Sequence, residues 1–201
     1  MPIALGLSGC TLKEHISYKE LSKEDGPQQR YTGYYKVGKP YEVKNVSYTP
    51  KKPEEGYVEI GTASWYGQES AGVTANGQKY NSDTLIAAHK SLPIPSMVKV
   101  TDLATNKQLI VMIADRGPFA KGRVLDLSEK AATILGFKKR GVTKVRLEYL
   151  PKETEKLLAK LSLPKVHGAR ASGDIKDSKC SVNCYVKLLN KEHNINIASK
   201  E

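Results

Sequence analysis

The sequence predicts a mainly β domain, a compact barrel in the middle of the chain. Several short stretches between Gly56 and Leu150 alternate apolar and polar residues with period two, the mark of half-buried strands. Only one short helical pattern interrupts them, whereas a doubly wound sheet would place a helix between successive strands. Turn residues such as Gly67 and Asn106-Lys107 close the stretches.

Taken in order, Tyr57-Val-Glu-Ile-Gly-Thr-Ala-Ser-Trp65-Tyr66-Gly67 reads as a strand that ends at a glycine. Met97 to Leu103 places Val98 and Val100 on one face, and Gln108 to Ala114 is a strongly apolar strand through Leu109, Ile110, Val111 and Ile113. Arg123 to Leu127 is a further strand. Ser128 to Gly136 is a short helix, with Ser128 as N-cap, Ala131, Ala132 and Leu135 on one face, and Gly136 at the C-cap. Gly141 to Tyr149 alternates again through Val145, Leu147 and Tyr149.

The flanks read differently. Residues 1–10 look like the end of a signal segment, 11–55 like a tether, 56–150 like the barrel, and 151–201 like a helical and linker tail. A Lys/Glu-rich helical stretch runs from Pro151 to about Leu161, and the segment from Cys180 is too short to fold without help. Tyr31, Tyr34, Tyr35, Tyr41 and Tyr48 lie in the tether without fixed spacing; they suit sugar contact or, more often, packing on a neighbouring domain.

Hydrophobic residues make up 39% of the 201 and charged residues 26%, ordinary for a soluble globular protein, and no apolar run is long enough for a transmembrane helix. The net charge of +11 favours polyanionic partners: nucleic acid, anionic lipid or an acidic polymer. No recognisable nucleic-acid module accompanies it, so no nucleic-acid partner is expected. Leu7-Ser8-Gly9-Cys10 resembles a lipobox, in which small residues let an extended backbone fit a peptidase groove before a lipidated cysteine. The alternative is a chance cysteine after small residues. Cys180 and Cys184 suit a small-loop disulfide in an oxidising envelope. With only His193 nearby, no metal site is expected.

Chemistry concentrates in three segments. The first is Gly61-Thr-Ala-Ser-Trp-Tyr-Gly67 with Thr74-Ala-Asn-Gly-Gln-Lys-Tyr80, the second Ala87-Ala-His-Lys-Ser-Leu-Pro-Ile-Pro95, and the third Ala114-Asp-Arg-Gly-Pro-Phe119 with Arg123-Val-Leu-Asp-Leu-Ser128. In this order and spacing they resemble the double-psi β-barrel of the rare lipoprotein A family, over about Gly61 to Leu150. The resemblance implies a six-stranded barrel, one or two short helices, irregular tails and a groove. It implies an endolytic lytic transglycosylase on the glycan strands of peptidoglycan, without a cofactor. The product would carry 1,6-anhydro-N-acetylmuramic acid ends, the strands being often peptide-poor and the enzyme often at the division site with protein partners there. It also strengthens Cys10 as a lipid anchor, to the cell membrane or the outer membrane, facing the periplasm. Family members often end in a peptidoglycan-binding module; the tail 151–201 is short enough to be its remnant.

The residues support that chemistry on their own terms. Breaking a glycosidic bond needs a proton donor of raised pKa, and a lytic transglycosylase manages with one acid because the C6 hydroxyl replaces water. Asp115 ends an apolar strand, where desolvation raises a carboxyl's pKa; otherwise it caps a turn or pairs with Arg116 or Arg123. His89 is the second catalytic candidate, hydrogen-bonding Asp115 or the sugar, or else holding the loop before Leu92-Pro93. Arg116 suits a substrate carboxylate or an ion pair with Asp126. Asn76, Gln78 and Tyr66 are candidate substrate contacts, and by alternation only one of Trp65 and Tyr66 faces the groove. Family members commonly carry a glutamate where this chain has Gln78, which binds sugar but donates no catalytic proton. The alternative function is therefore a non-catalytic glycan-binding lipoprotein. Lys79, Lys90, Arg116, Lys121 and Arg123 would supply a field attractive to lactyl carboxylates.

Overall fold

The computed structural model describes residues 33–67, 72–161 and 181–196. Cys10 and Cys180 lie outside the described residues. The described residues hold eight strands: β1 (Tyr41–Val43), β2 (Val46–Tyr48), β3 (Val58–Tyr66), β4 (Ile86–His89), β5 (Ser96–Asp102), β6 (Gln108–Asp115), β7 (Arg123–Ser128) and β8 (Thr143–Tyr149). The last six close into a barrel in the order β3-β7-β4-β6-β5-β8, the double-psi fold. Two pairs, β3 with β7 and β4 with β6, run parallel; the other four are antiparallel. Closure gives every barrel strand a neighbour on both sides.

Inward residues fill the barrel. Val98, Val100, Leu109, Val111, Ile113, Leu125, Leu127, Val145 and Leu147 are fully buried. In β8 the burial alternates residue by residue, so its pattern predicted its face. β4 shows no alternation because all four of its residues are buried between β6 and β7.

Among the described residues three α-helices pack outside the barrel: α1 (Glu129–Leu135), α2 (Pro151–Lys160) and α3 (Val182–Glu192). Ser128 caps α1, its Oγ accepting from Ala131 N–H at 3.3 Å, and Gly136 ends it in the left-handed region. The unexpected helix is α3, in the stretch read as tail. Asn190, fully buried, donates to Ile110 O at 2.8 Å and accepts from Ile110 N–H at 2.7 Å. It completes the hydrogen bonds of β6 beyond the end of β4, as a strand would. Cys184, in the same helix, is disulfide-bonded.

Much of the stretch expected to be a tether lies on the barrel. β1 and β2 form a hairpin whose turn residues Lys44 and Asn45 both have positive φ, as a type I′ turn requires. Lys36 bridges to Ile94, Lys51 N–H donates to Ser91 O at 3.0 Å, and Tyr34 OH donates to Ala75 O at 3.0 Å. Gly38 makes the approach possible: a Cβ there would stand 3.0 Å from Pro50 Cγ and 3.3 Å from Arg116 Nη2, at a φ of +106°.

Candidate active site

Register places the acidic groups. Ala88 in β4 is aligned with Asp115 in β6 and with Asp126 in β7, and Asp126 is aligned with Ser64 in β3. Aligned neighbours in a sheet point to one side, so Asp115, Ala88, Asp126 and Ser64 form a row across the outer face, with Tyr66 two residues beyond Ser64. The two aspartate Cα atoms are two strand spacings apart, roughly 9–10 Å.

Asp115 Oδ1 accepts from Ala75 N–H and from Arg116 N–H, both at 2.8 Å. Its Oδ2 bonds to none of the described residues and is not sealed from solvent. Burial raises the carboxyl above the ordinary aspartate range; those two N–H groups and the charges of Arg116 and Lys36 oppose this without prevailing. Asp126 is held more firmly, by Ser64 Oγ and by Arg123 Nη2 at 3.5 Å, while Arg123 Nη1 donates to Ser64 Oγ at 2.7 Å.

Tyr66 lies on the Asp115 side, but not as an open platform for sugar. Its ring lies against Tyr80, centroids 4.7 Å apart, and its phenol oxygen is sealed from solvent without a partner among the described residues. Burial, then the charges of Asp115, Tyr80 and Asp126, push its pKa far up, so it stays protonated. Trp65 points the other way, donating to Lys138 O at 3.1 Å.

His89 parts company with Asp115. One residue on from Ala88, it aligns with the fully buried Leu125 and turns inward. Its Nε2 meets Glu59 Oε2 at 2.9 Å, not Asp115. Its Nδ1 accepts from Ser91 N–H at 3.2 Å and Leu92 N–H at 3.0 Å. With two donors aimed at Nδ1, the proton sits on Nε2, and the imidazole fastens the loop before Pro93. Glu59 also accepts from Tyr57 OH at 2.7 Å. Sequence reasoning missed Glu59; it is thirty residues from its partner and carries no local signal.

Arg116 makes no pair with Asp126. Its guanidinium donates to His89 O at 3.2 Å, Leu92 O at 2.7 Å and Val37 O at 2.8 Å, clamping the 33–53 segment to the barrel. Asn76 is fully buried, its Oδ1 accepting from Thr74 Oγ1 at 2.6 Å and Gln78 N–H at 3.3 Å, so it closes a turn and offers no surface to a saccharide. Gly77 is needed beside it: its φ is +83°, and a Cβ would lie 3.2 Å from Tyr34 Cε1. That turn carries the half-buried Gln78 and reaches Asp115 through Ala75 N–H. Of the five cations expected to draw in substrate, Lys90 donates to Arg123 O at 2.6 Å and both arginines are engaged; Lys79 and Lys121 are exposed.

Residues 58–147 match the family model described as lytic transglycolase. A Rickettsia felis protein named endolytic peptidoglycan transglycosylase RlpA is 46% identical over 94% of this chain and 91% of its own length. Its Rickettsia typhi namesake is 46% identical over 95% of this chain, which spans 65% of that relative. A Pseudomonas aeruginosa protein of the same name is 46% identical over 54% of this chain and 32% of its own. Barrel, motif order and relatives agree, and the chain belongs to the RlpA family.

Proposed function

We propose that the chain is an endolytic lytic transglycosylase that cuts the bond between N-acetylmuramic acid and N-acetylglucosamine in peptidoglycan glycan strands. The observation that carries the reading is Asp115: one oxygen fixed by two backbone N–H groups, the other without a bond to the described residues, and a carboxyl raised by burial. Such a group holds a proton at pH values where an ordinary aspartate has lost it. Its Oδ2 donates that proton to the leaving glycosidic oxygen. The C6 hydroxyl of the muramoyl ring then attacks its own anomeric carbon and returns its proton to Oδ2. The 1,6-anhydro ring closes, no water is consumed, and the acid is regenerated.

Digestion of purified, peptide-free strands tests this by mass spectrometry. Anhydro-ended products, lighter by one water than hydrolytic ones, are expected from the wild-type chain and not from Asp115→Asn. Intact strands from both overturn it.

A second reading, glycan binding without cleavage, draws on Gln78 and on the engagement of both His89 ring nitrogens. Retention on sacculi without products favours it, and activity gained in Gln78→Glu would show what is missing. We further propose that Cys10 is lipidated and holds the chain in the envelope. Labelled palmitate should enter the wild-type chain and not Cys10→Ala; equal labelling removes the anchor.

A further inference from the structure

We propose that Phe119, Tyr48 and Tyr41 form a stacking subsite for a sugar ring of the same glycan strand, distal to the bond being cut. The proposal rests on the transglycosylase reading and adds a specificity for strand length.

Tyr41 and Tyr48 face each other across the β1–β2 hairpin, rings stacked at 5.3 Å between centroids. Phe119 approaches both, at 6.1 Å from Tyr41 and 5.6 Å from Tyr48. Phe119 is 37% exposed, so part of its ring is open to a ligand. The Tyr48 hydroxyl bonds to none of the described residues, so it can meet a sugar hydroxyl or acetamido oxygen. The Tyr41 hydroxyl donates to Lys90 O at 2.7 Å and fixes the hairpin in place.

The position ties this surface to the reaction. Phe119 follows Asp115 by four residues, so its Cα lies within roughly 14 Å of the acid's. The connection runs over Gly117, where an added Cβ would lie 3.9 Å from both Ala88 Cβ and the Phe119 ring. Ala88 is the floor between the two aspartates. Acid, clamp and platform thus occupy five consecutive residues, and Arg116 holds the chain that leads into the hairpin. Exposed Lys39 and Lys121 lie two residues from Tyr41 and Phe119 in the chain, which suits a strand bearing lactyl carboxylates. Tyr41 and Tyr48 precede the part that matches the family model, so the subsite belongs to a surface the barrel alone does not provide.

The test is binding of the full chain, in the Asp115→Asn background so that nothing is cut, to peptide-free strands fractionated by length. The parent should prefer long strands to disaccharide units. Phe119→Ala and Tyr48→Ala should each weaken long-strand binding by about tenfold, with little change for the disaccharide. Phe119→Trp, which keeps a flat ring, should restore it. Thermal midpoints run alongside. A lower midpoint with unchanged affinity means that the rings only glue the hairpin, and overturns the subsite. A parent that binds no strand of any length overturns the transglycosylase reading together with it, so the two failures are told apart by which chain fails.

Discussion

Asp115 and Glu59 are two half-buried carboxylates on opposite faces of one barrel wall, and their proton affinities move in opposite directions. Burial acts on both. At Asp115 it prevails over two backbone N–H groups and the charges of Arg116 and Lys36, and the pKa rises. At Glu59 it loses to the hydrogen bonds from His89 and Tyr57 and to the charge of Lys90, and the pKa falls. The difference is one of partners: Asp115 keeps an oxygen free, while one oxygen of Glu59 is shared between an imidazole and a phenol. A free, raised carboxyl can exchange protons with a substrate, whereas a paired, lowered one holds structure.

The largest expected effect breaks the comparison on the functional side. Asp115→Asn keeps the shape and the acceptor for Ala75 and Arg116 N–H but cannot carry the proton. Turnover of peptide-free strands should fall by about 10³-fold. Retained turnover would mean that the proton comes from elsewhere, with Asp126 the next acid in the row.

His89→Ala should strike the other face. It leaves the Ser91 and Leu92 N–H groups and the Glu59 carboxylate without their partner and opens a cavity, at a cost of about 3 kcal/mol. Urea denaturation measures it. If stability holds and only turnover falls, His89 serves the reaction and not the loop.

How much of this contrast could be read in the chain follows from the range of the interactions. The alternation of β8, the Ser128 cap and the Gly136 stop are local and legible, whereas β5 is buried on both faces apart from Lys99. β4 was legible only as a motif, because a four-residue strand covered on both faces shows no period. α3 did leave a signal: Ser181 as cap, then Val182, Tyr185, Val186 and Leu189 at helical spacing. Its shortness argued for a loose tail, yet Asn190 fastens it to β6 from eighty residues away. Asp115 stood out because its strand ends there. The turning of His89 toward Glu59 depended on register between β4, β7 and β3, which no local pattern encodes.

Glu59→Gln sharpens the comparison. A carboxylate with a lowered folded pKa adds stability above its unfolded pKa, and that contribution vanishes as pH falls through the folded value. Glutamine keeps acceptors for His89 and Tyr57 but not the charge, so the variant should be about 1–2 kcal/mol less stable at neutral pH. The deficit should shrink on acidification below the ordinary glutamate range. A deficit that does not depend on pH would reduce Glu59 to a neutral hydrogen-bond acceptor.

The smallest effect has the opposite sign. A carboxyl with a raised folded pKa favours the fold while protonated; its contribution is present below the unfolded pKa and lost as pH rises through the folded one. Above its folded pKa the ionised Asp115 therefore stands at some cost, moderated by its partial access to solvent. Asp115→Asn removes that cost, so its melting temperature should exceed that of the wild type by about 2 °C, of the order of 0.5–1 kcal/mol. The gain should fade as the wild type is acidified and protonates the same group. Calorimetry over that pH range, on a variant that has lost turnover, measures how far folding stability is given up when this half-buried acid ionises. A variant less stable than the wild type at neutral pH would mean that Asp115 is a strut like Glu59.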